Sequence, residues 1–288
     1  MIYSMTGFAR ETSGTQWGEL CWELRSVNHR YLDVHQRLPD EFRALEPQVR
    51  EAVSGRLGRG KVECLLRFQP RVREGTPLTI NDTLVAKLAE ACERVSESLH
   101  SAAPVSPVEL LRWPGVVEET ARDMEPLMEE ALGLLGAALH SLAKGRAAEG
   151  VRIAEMLSTR LDGIGSHVQA IRERLPVVRE AIRERLQTRL AELGVDAEPG
   201  RLEQEMALIA QKMDVAEELD RLDSHIQEVR ASLERKDPVG RRLDFLMQEF
   251  NREANTLASK SQDAETTRVA VEIKVLVEQM REQVQNVE

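Results

Sequence analysis

Aromatic side chains are scarce in this sequence: three Trp, two Tyr and five Phe in 288 residues. That is too few for the base-stacking platforms of an RRM or OB-type single-strand binder. Cys21, Cys64 and Cys92 are odd in number and far apart. They fit neither a disulfide framework nor a zinc site, so a reducing cytoplasm is the expected compartment. No apolar run approaches the roughly 18–20 residues that span a bilayer, and no membrane partner is expected. The opening MIYSMTGFARE lacks the basic-then-apolar layout of a signal peptide. Also absent are CxxC, HExxH, a Walker loop, GxGxxG and a nucleophile elbow. GRLGRGK at 55–61 only superficially resembles a phosphate loop, because it follows a helix and precedes a strand, the reverse of the P-loop order. No repeat of fixed period and no low-complexity tail is evident.

Charge, by contrast, is plentiful. Charged residues make up 31% of the chain and the net charge is −10, which argues against indiscriminate nucleic-acid binding. The distribution is uneven. Residues 21–73 hold eleven Arg or Lys against seven Asp or Glu, whereas residues 74–135 hold four against twelve. A basic surface on an acidic body is therefore expected.

Periodicity predicts an α+β protein, predominantly α. MTGFARET and GELCWELRSVNHRYLDVHQRL read as strands, with Leu20, Trp22 and Leu24 alternating against Cys21, Glu23 and Arg25. LPDEFRALEPQVREAVSGRLGRG reads as one helix with Asp40 as N-cap, KVECLLRFQP as a strand and PLTIND as a short strand. TLVAKLAEACERVSESL and VELLRWPG follow as helices, and Pro114 stops the second. A long helix or helix pair is expected over 124–193, then helices near 200–235, 238–257 and 262–286, with loops at GVDAEPG and KDPVG. The expected organisation is a small α/β sheet domain over 1–120 with a basic segment, a long helical connector over 121–199, and a C-terminal helical bundle over 200–288 with a polar, acidic site.

Within 200–235, Leu208, Val215, Leu219, Leu222, Ile226, Val229 and Leu233 fall at 4/3 spacing, a coiled-coil-like seam. Asp214, Glu218, Arg221 and His225 lie on one flank of it, with Glu217, Asp220 and Ser224 further out. In the next helix Leu243, Leu246, Phe250, Ala254 and Leu257 form the seam, while Glu249, Glu253, Thr256 and Lys260 share another face. Glu249 and Glu253 are like charges one turn apart. They become favourable if Arg252, an arginine of the partner helix or a divalent cation sits between them, and carboxylates with a histidine suit Mg²⁺ or Mn²⁺. The ordinary alternative is a solvated face or interhelical salt bridges. In RSVNHRYLD at 25–33, Arg25, His29 and Arg30 offer cationic or proton-transfer groups and Asn28 can both donate and accept. With Arg59 and Lys61 they could track a phosphate backbone, or simply cap a strand end.

These residues carry a resemblance. SMTGFAR at 4–10, ELRSVNHRYLD at 23–33 and GRGKVE at 58–63 are similar to the N-terminal signature of the bacterial YicC (YicC/YloC) family. VAEELDRLDSHI at 215–226, GRRLDFLMQEFNREANTLASKS at 240–261 and EIKVLVEQMREQVQNVE at 272–288 resemble its C-terminal one. The motifs run in order from end to end, and 74–195 matches by helical pattern. The resemblance implies a cytoplasmic endoribonuclease that acts in RNA turnover with a divalent cation. It also implies a homo-oligomer, a hexamer, with further partners among RNA-decay proteins.

On that footing the catalytic set is His225, Glu249, Glu253 and His29. Glu218, Glu249 and Glu253 would hold the cation, and His225 or His29 would move the proton. Arg25, Asn28, Arg30, Arg59, Lys61, Arg221, Arg252 and Lys260 would hold the RNA. A second chemistry uses the RNA 2′-OH as nucleophile without a catalytic metal. Two other classes stay open: a non-catalytic adaptor that delivers small RNAs to another nuclease, and a purely structural helical scaffold.

Overall fold

The computed structural model describes residues 2–71, 79–99, 103–118, 124–192, 199–235 and 237–288. Its N-terminal sheet comprises β1 (Gly7–Gly14), β2 (Gly18–Val27), β3 (Leu32–Arg37) and β4 (Gly60–Pro70), in the order β1-β2-β4-β3. The β1–β2 and β2–β4 pairs are antiparallel and the β3–β4 pair is parallel. Alternation sets the register: Leu20, Trp22, Leu24 and Ser26 lie opposite Phe68, Leu66, Cys64 and Val62. Those eight side chains share the inner face. Burial pushes the Cys64 thiol up to about 12, so it packs as an apolar side chain.

The long strand expected over 18–38 is two strands. The chain breaks at Asn28–Tyr31, where the polar groups bind backbone rather than continue a ladder. Asn28 Nδ2 donates to Gln285 O at 2.6 Å, His29 Nδ1 lies 3.0 Å from Tyr31 O, and Arg59 Nε donates to His29 O at 3.1 Å. The helix expected after it is also divided, into a 3-10 segment Asp40–Leu45 and α1 (Glu46–Ser54). Pro47 is the reason, since it lacks an N–H and suits the first turn of a new helix. Asp40 makes no cap bond and instead pairs with Arg43 at 2.9 Å.

The segment after the sheet carries β5 (Thr79–Ile80), α2 (Asp82–Ser98), α3 (Pro107–Leu111) and β6 (Val117–Glu118), with β5 and β6 antiparallel. Asn81 caps α2 by accepting from Leu84 N at 3.0 Å. The start of PLTIND and most of GVDAEPG fall outside the described residues.

α4 (Glu125–Glu192) is one unbroken helix of 68 residues, about 100 Å long. Gly163, Gly165 and Pro176 do not end it. Gly163 lets α8 come close, because a Cβ there would sit 3.2 Å from Leu276. The expected helix over 200–235 is two, α5 (Pro199–Lys212) and α6 (Ala216–Leu233). At the break Asp214 Oδ1 accepts from Ala216 N at 3.1 Å, a side chain competing for a helical donor. Leu208 therefore leaves the seam and is exposed. α7 (Gly240–Lys260) and α8 (Ala264–Val284) complete the bundle.

Two apolar cores share α4. The first half, through Leu127, Ala131, Leu135, Ala138, Leu139 and Leu142, covers the sheet, and Trp22 Nε1 donates to Ala131 O at 2.8 Å. The second half, Ile153 to Ile171, packs with α6, α7 and α8. Ile2 joins that second core, and the N-terminal segment pairs with the C-terminal one: Ser4 bridges Val287, Met5 N donates to Asn286 O at 2.7 Å, and Glu288 N donates to Tyr3 O at 2.9 Å. Arg146, buried between the two cores, donates to Ser4 O and to Glu288 Oε2.

Candidate functional site

α6 and α7 pack with their polar flanks facing, and the contacts step in opposite directions along the two helices. Lys260 Nζ donates to Glu218 Oε1 at 2.8 Å and to Asp214 O at 2.8 Å. One turn on, Arg221 donates to Glu253 Oε1 at 3.2 Å and also binds Glu217. Next comes His225, one ring nitrogen of which lies within 4.8 Å of a carboxylate oxygen of Glu249 and of Glu253. Arg242 with Glu228, at 3.4 Å, closes the series. As α6 numbers rise, α7 numbers fall, which is what an antiparallel pair with helical spacing on each side must produce.

The like charges of Glu249 and Glu253 are offset by arginines: Arg252 binds Oε1 of Glu249 and Arg221 binds Oε1 of Glu253. Oε2 of each carboxylate stands outside these bonds. The hydrogen bond to Glu253, then the charge of Glu217, raises the Arg221 pKa above its ordinary value, and the bond to Glu218 does the same for Lys260. Both cations stay fully charged at neutral pH.

His225 differs from its neighbours. Its ring meets the Phe250 edge at 5.6 Å between centroids, with 62° between planes. Neither ring nitrogen contacts solvent, and neither has a hydrogen-bond partner. A buried imidazole normally finds a partner for each nitrogen. One nitrogen and two carboxylates converging is a donor set that suits a divalent cation, so the residues present fit such a group. Glu218 falls outside this trio: Lys260 holds its Oε1, while its Oε2 is buried without a partner.

The N-terminal candidates lie elsewhere. Arg25, Asn28, His29 and Arg30 are exposed, and the Arg30 guanidinium lies 5.3 Å from the Tyr31 ring centre. Asn28 and Arg59 bind backbone carbonyls, and Lys61 is half-buried on β4. This group meets α7 near Gly240, where a Cβ would lie 4.0 Å from Arg59. Glu249 and Glu253 are about 14 and 20 Å further along the helix axis. His29 and His225 are thus not brought into one cluster within a chain.

Sequence reasoning missed Arg146 and the Arg174–Asp263 pair. Arg146 was legible in principle, since it occupies the apolar stripe of α4 between Leu142 and Gly150. Asp263 caps α8 by accepting from Thr266 N at 3.0 Å and takes both Nε and an amino nitrogen of Arg174, at 2.5 and 3.0 Å. The Arg174 hydrogen bonds, with those from Thr266, hold its carboxyl well below the usual carboxylate range.

The comparisons with known proteins cover both halves. Residues 2–155 match the family described as endoribonuclease YicC-like, N-terminal region, and residues 171–288 match endoribonuclease YicC-like, C-terminal. The chain belongs to the YicC-like endoribonuclease family. The Haemophilus influenzae protein named "Probable endoribonuclease YicC" is 42% identical over 288 residues, all of both chains. The Clostridioides difficile protein of the same name is 33% identical over 293 aligned positions, again all of both chains. The YicC-like C-terminal match contains the whole α6–α7 cluster. Among the described residues no helix is long and apolar enough to cross a membrane.

Proposed function

We propose that this chain cuts RNA internally, in RNA turnover, at the α6–α7 cluster, with a Mg²⁺ or Mn²⁺ ion held by His225, Glu249 and Glu253. One observation carries the reading: a partnerless imidazole beside two carboxylates, within 4.8 Å. Glu218 moves to a supporting part, holding Lys260 beside the cluster. A bound cation supplies charge relief at the phosphate and a more acidic water. The chain's own residues do the rest. Arg221 and Arg252, paired to the same two carboxylates, turn toward non-bridging phosphate oxygens as substrate arrives. Phe250 fixes the His225 ring by edge contact. Arg25, Arg30, Arg59 and Lys61, some 14–20 Å away along α7, hold more distant phosphates, and their surplus of positive charge sets the direction of approach.

The adaptor reading draws on one feature. Each carboxylate already carries an arginine, an arrangement that can bind RNA without cutting it. The test is a labelled single-stranded or stem-loop RNA with purified protein, with Mn²⁺ and with chelator. Internal cuts that chelator abolishes support the reading, and intact RNA that is nonetheless bound supports the adaptor. A 2′,3′-cyclic phosphate on the product means that the 2′-OH attacked, and loss of that product in His225→Ala would then assign the base to His225.

A further inference from the structure

The core side of α7 is Leu243, Leu246, Phe250, Ala254 and Leu257, all buried. Phe245 is off that stripe. At 100° per residue it faces away from the core, and it is 58% exposed. Among the described residues it takes part in no ring–ring or cation–π pair. Neither core packing nor a ring or cation pair among the described residues accounts for an aromatic at this position.

Its neighbours give it a use. Glu249 of the cluster is one turn C-terminal to it, and Arg241 is one turn N-terminal, both about 6 Å away by helix geometry. Arg241 is exposed and has no ion-pair partner among the described residues. An apolar ring stands between an unpaired guanidinium and the His225–Glu249–Glu253 trio, along one line of the helix surface. That order suits a nucleotide strand: a phosphate at Arg241, a base face on the ring, and the next phosphate at the trio. A protein partner would not need a metal-type donor set one turn from its apolar contact, whereas a nucleic acid offers flat apolar faces and phosphates in alternation.

We propose that Phe245 stacks on an unpaired base next to the phosphate at the trio, so that the substrate is single-stranded there. A base inside a duplex shows no free face, and stacking accepts every base because each has a π face. The site would therefore require an unpaired nucleotide while discriminating weakly among bases. The inference rests on the nuclease reading above and deepens it. It also revises the expectation from scarce aromatics: one ring is not a platform, but one well-placed ring can seat one base.

The test uses the full-length chain and one single-stranded RNA whose cut position is mapped with unaltered protein. A set of the same RNA carries a single abasic nucleotide at successive positions around the cut. Phe245→Ala is expected to lower kcat/KM roughly 5- to 150-fold, with Phe245→Tyr near the unaltered value and Phe245→Leu close to Ala. One abasic position should penalise unaltered protein by a similar factor and Phe245→Ala not at all. Penalties that multiply at every abasic position, or full rescue by Leu, overturn the stacking. A changed subunit number in Phe245→Ala, by light scattering, also overturns it and assigns the ring to a second copy. If unaltered protein cuts RNA and Phe245→Ala cuts it equally well, only the stacking falls. If unaltered protein neither binds nor cuts RNA, the nuclease reading falls and takes the stacking with it.

Discussion

His225 leaves two nitrogens without partners in a place that solvent does not reach. Each unsatisfied polar group of this kind costs about 1–3 kcal/mol, and a ligand that engages the ring recovers part of it. Mn²⁺ at 100 times its dissociation constant should therefore stabilise the unaltered protein by about 2.7 kcal/mol. His225→Ala and Glu253→Gln should lose that gain, and should lose cleavage on the order of 10²–10⁴-fold while keeping helical circular dichroism. An equal metal-induced shift in all three proteins would remove the cation from the trio. Asp263 supports a second prediction. Because the Asp263 carboxyl is depressed in the folded state, its contribution is complete above about pH 4 and is lost as pH falls below that toward the folded value. Asp263→Asn keeps a competent cap but loses the charge. It should cost on the order of 1 kcal/mol at pH 7 and flatten the acid limb of urea-measured stability. The trio was legible from helical spacing, which put His225, Glu249 and Glu253 on flanks facing a common seam. Spacing alone could not show which carboxylate pairs with which cation, because rotation of α6 against α7 decides that. Lys260 took Glu218 and left the histidine to complete the cluster.

At the scale of elements, the seams of α6 and α7 and the run of α4 followed from periodicity, since an apolar stripe has few ways to be buried. The breaks at Asn28–Tyr31, Pro47 and Asp214 did not. Each depends on one side chain or one missing N–H outbidding a locally acceptable helix or strand. Glycine separates the two kinds of information. Gly133 of α4 has open space around a built Cβ, so Gly133→Ala should stabilise by roughly 0.5–1 kcal/mol through helix propensity. Gly240 starts α7, where a Cβ would stand 2.2 Å from Val287 O. Gly240→Ala should destabilise by more than about 1 kcal/mol, although its propensity term has the same sign as at Gly133. Chemical unfolding of the two variants side by side decides the point, and a gain at both positions would show that the C-terminal segment does not bear on α7.

A net charge of −10 works against the proposed RNA substrate, and we propose that assembly gathers the basic segments of several copies. α8 offers a contact. Ile273, Val277, Met280 and Val284 are core, whereas Val271 and Val275 are exposed one turn apart. Val271→Lys with Val275→Lys should lower the subunit number seen by light scattering while leaving circular dichroism unchanged. A monodisperse active species of 32.5 kDa before any substitution would refute the assembly. Truncation at Val271 would instead strip the core and says nothing about contacts. Replacing Arg30 or Arg59 should flatten the salt dependence of RNA binding by about 0.7 in slope per lost phosphate on a single strand, and an unchanged slope assigns those side chains to the fold. The pairing of Ser4 with Val287 also sets a schedule. At about 5–20 residues per second, a ribosome adds the last partner of Ser4 roughly 15–60 s after Ser4 itself. Throughout that interval the nascent N-terminal segment has only its α4 contacts at Arg146 and lacks its C-terminal partner, so a stalled or prematurely released chain would present that edge, open, to proteases and chaperones.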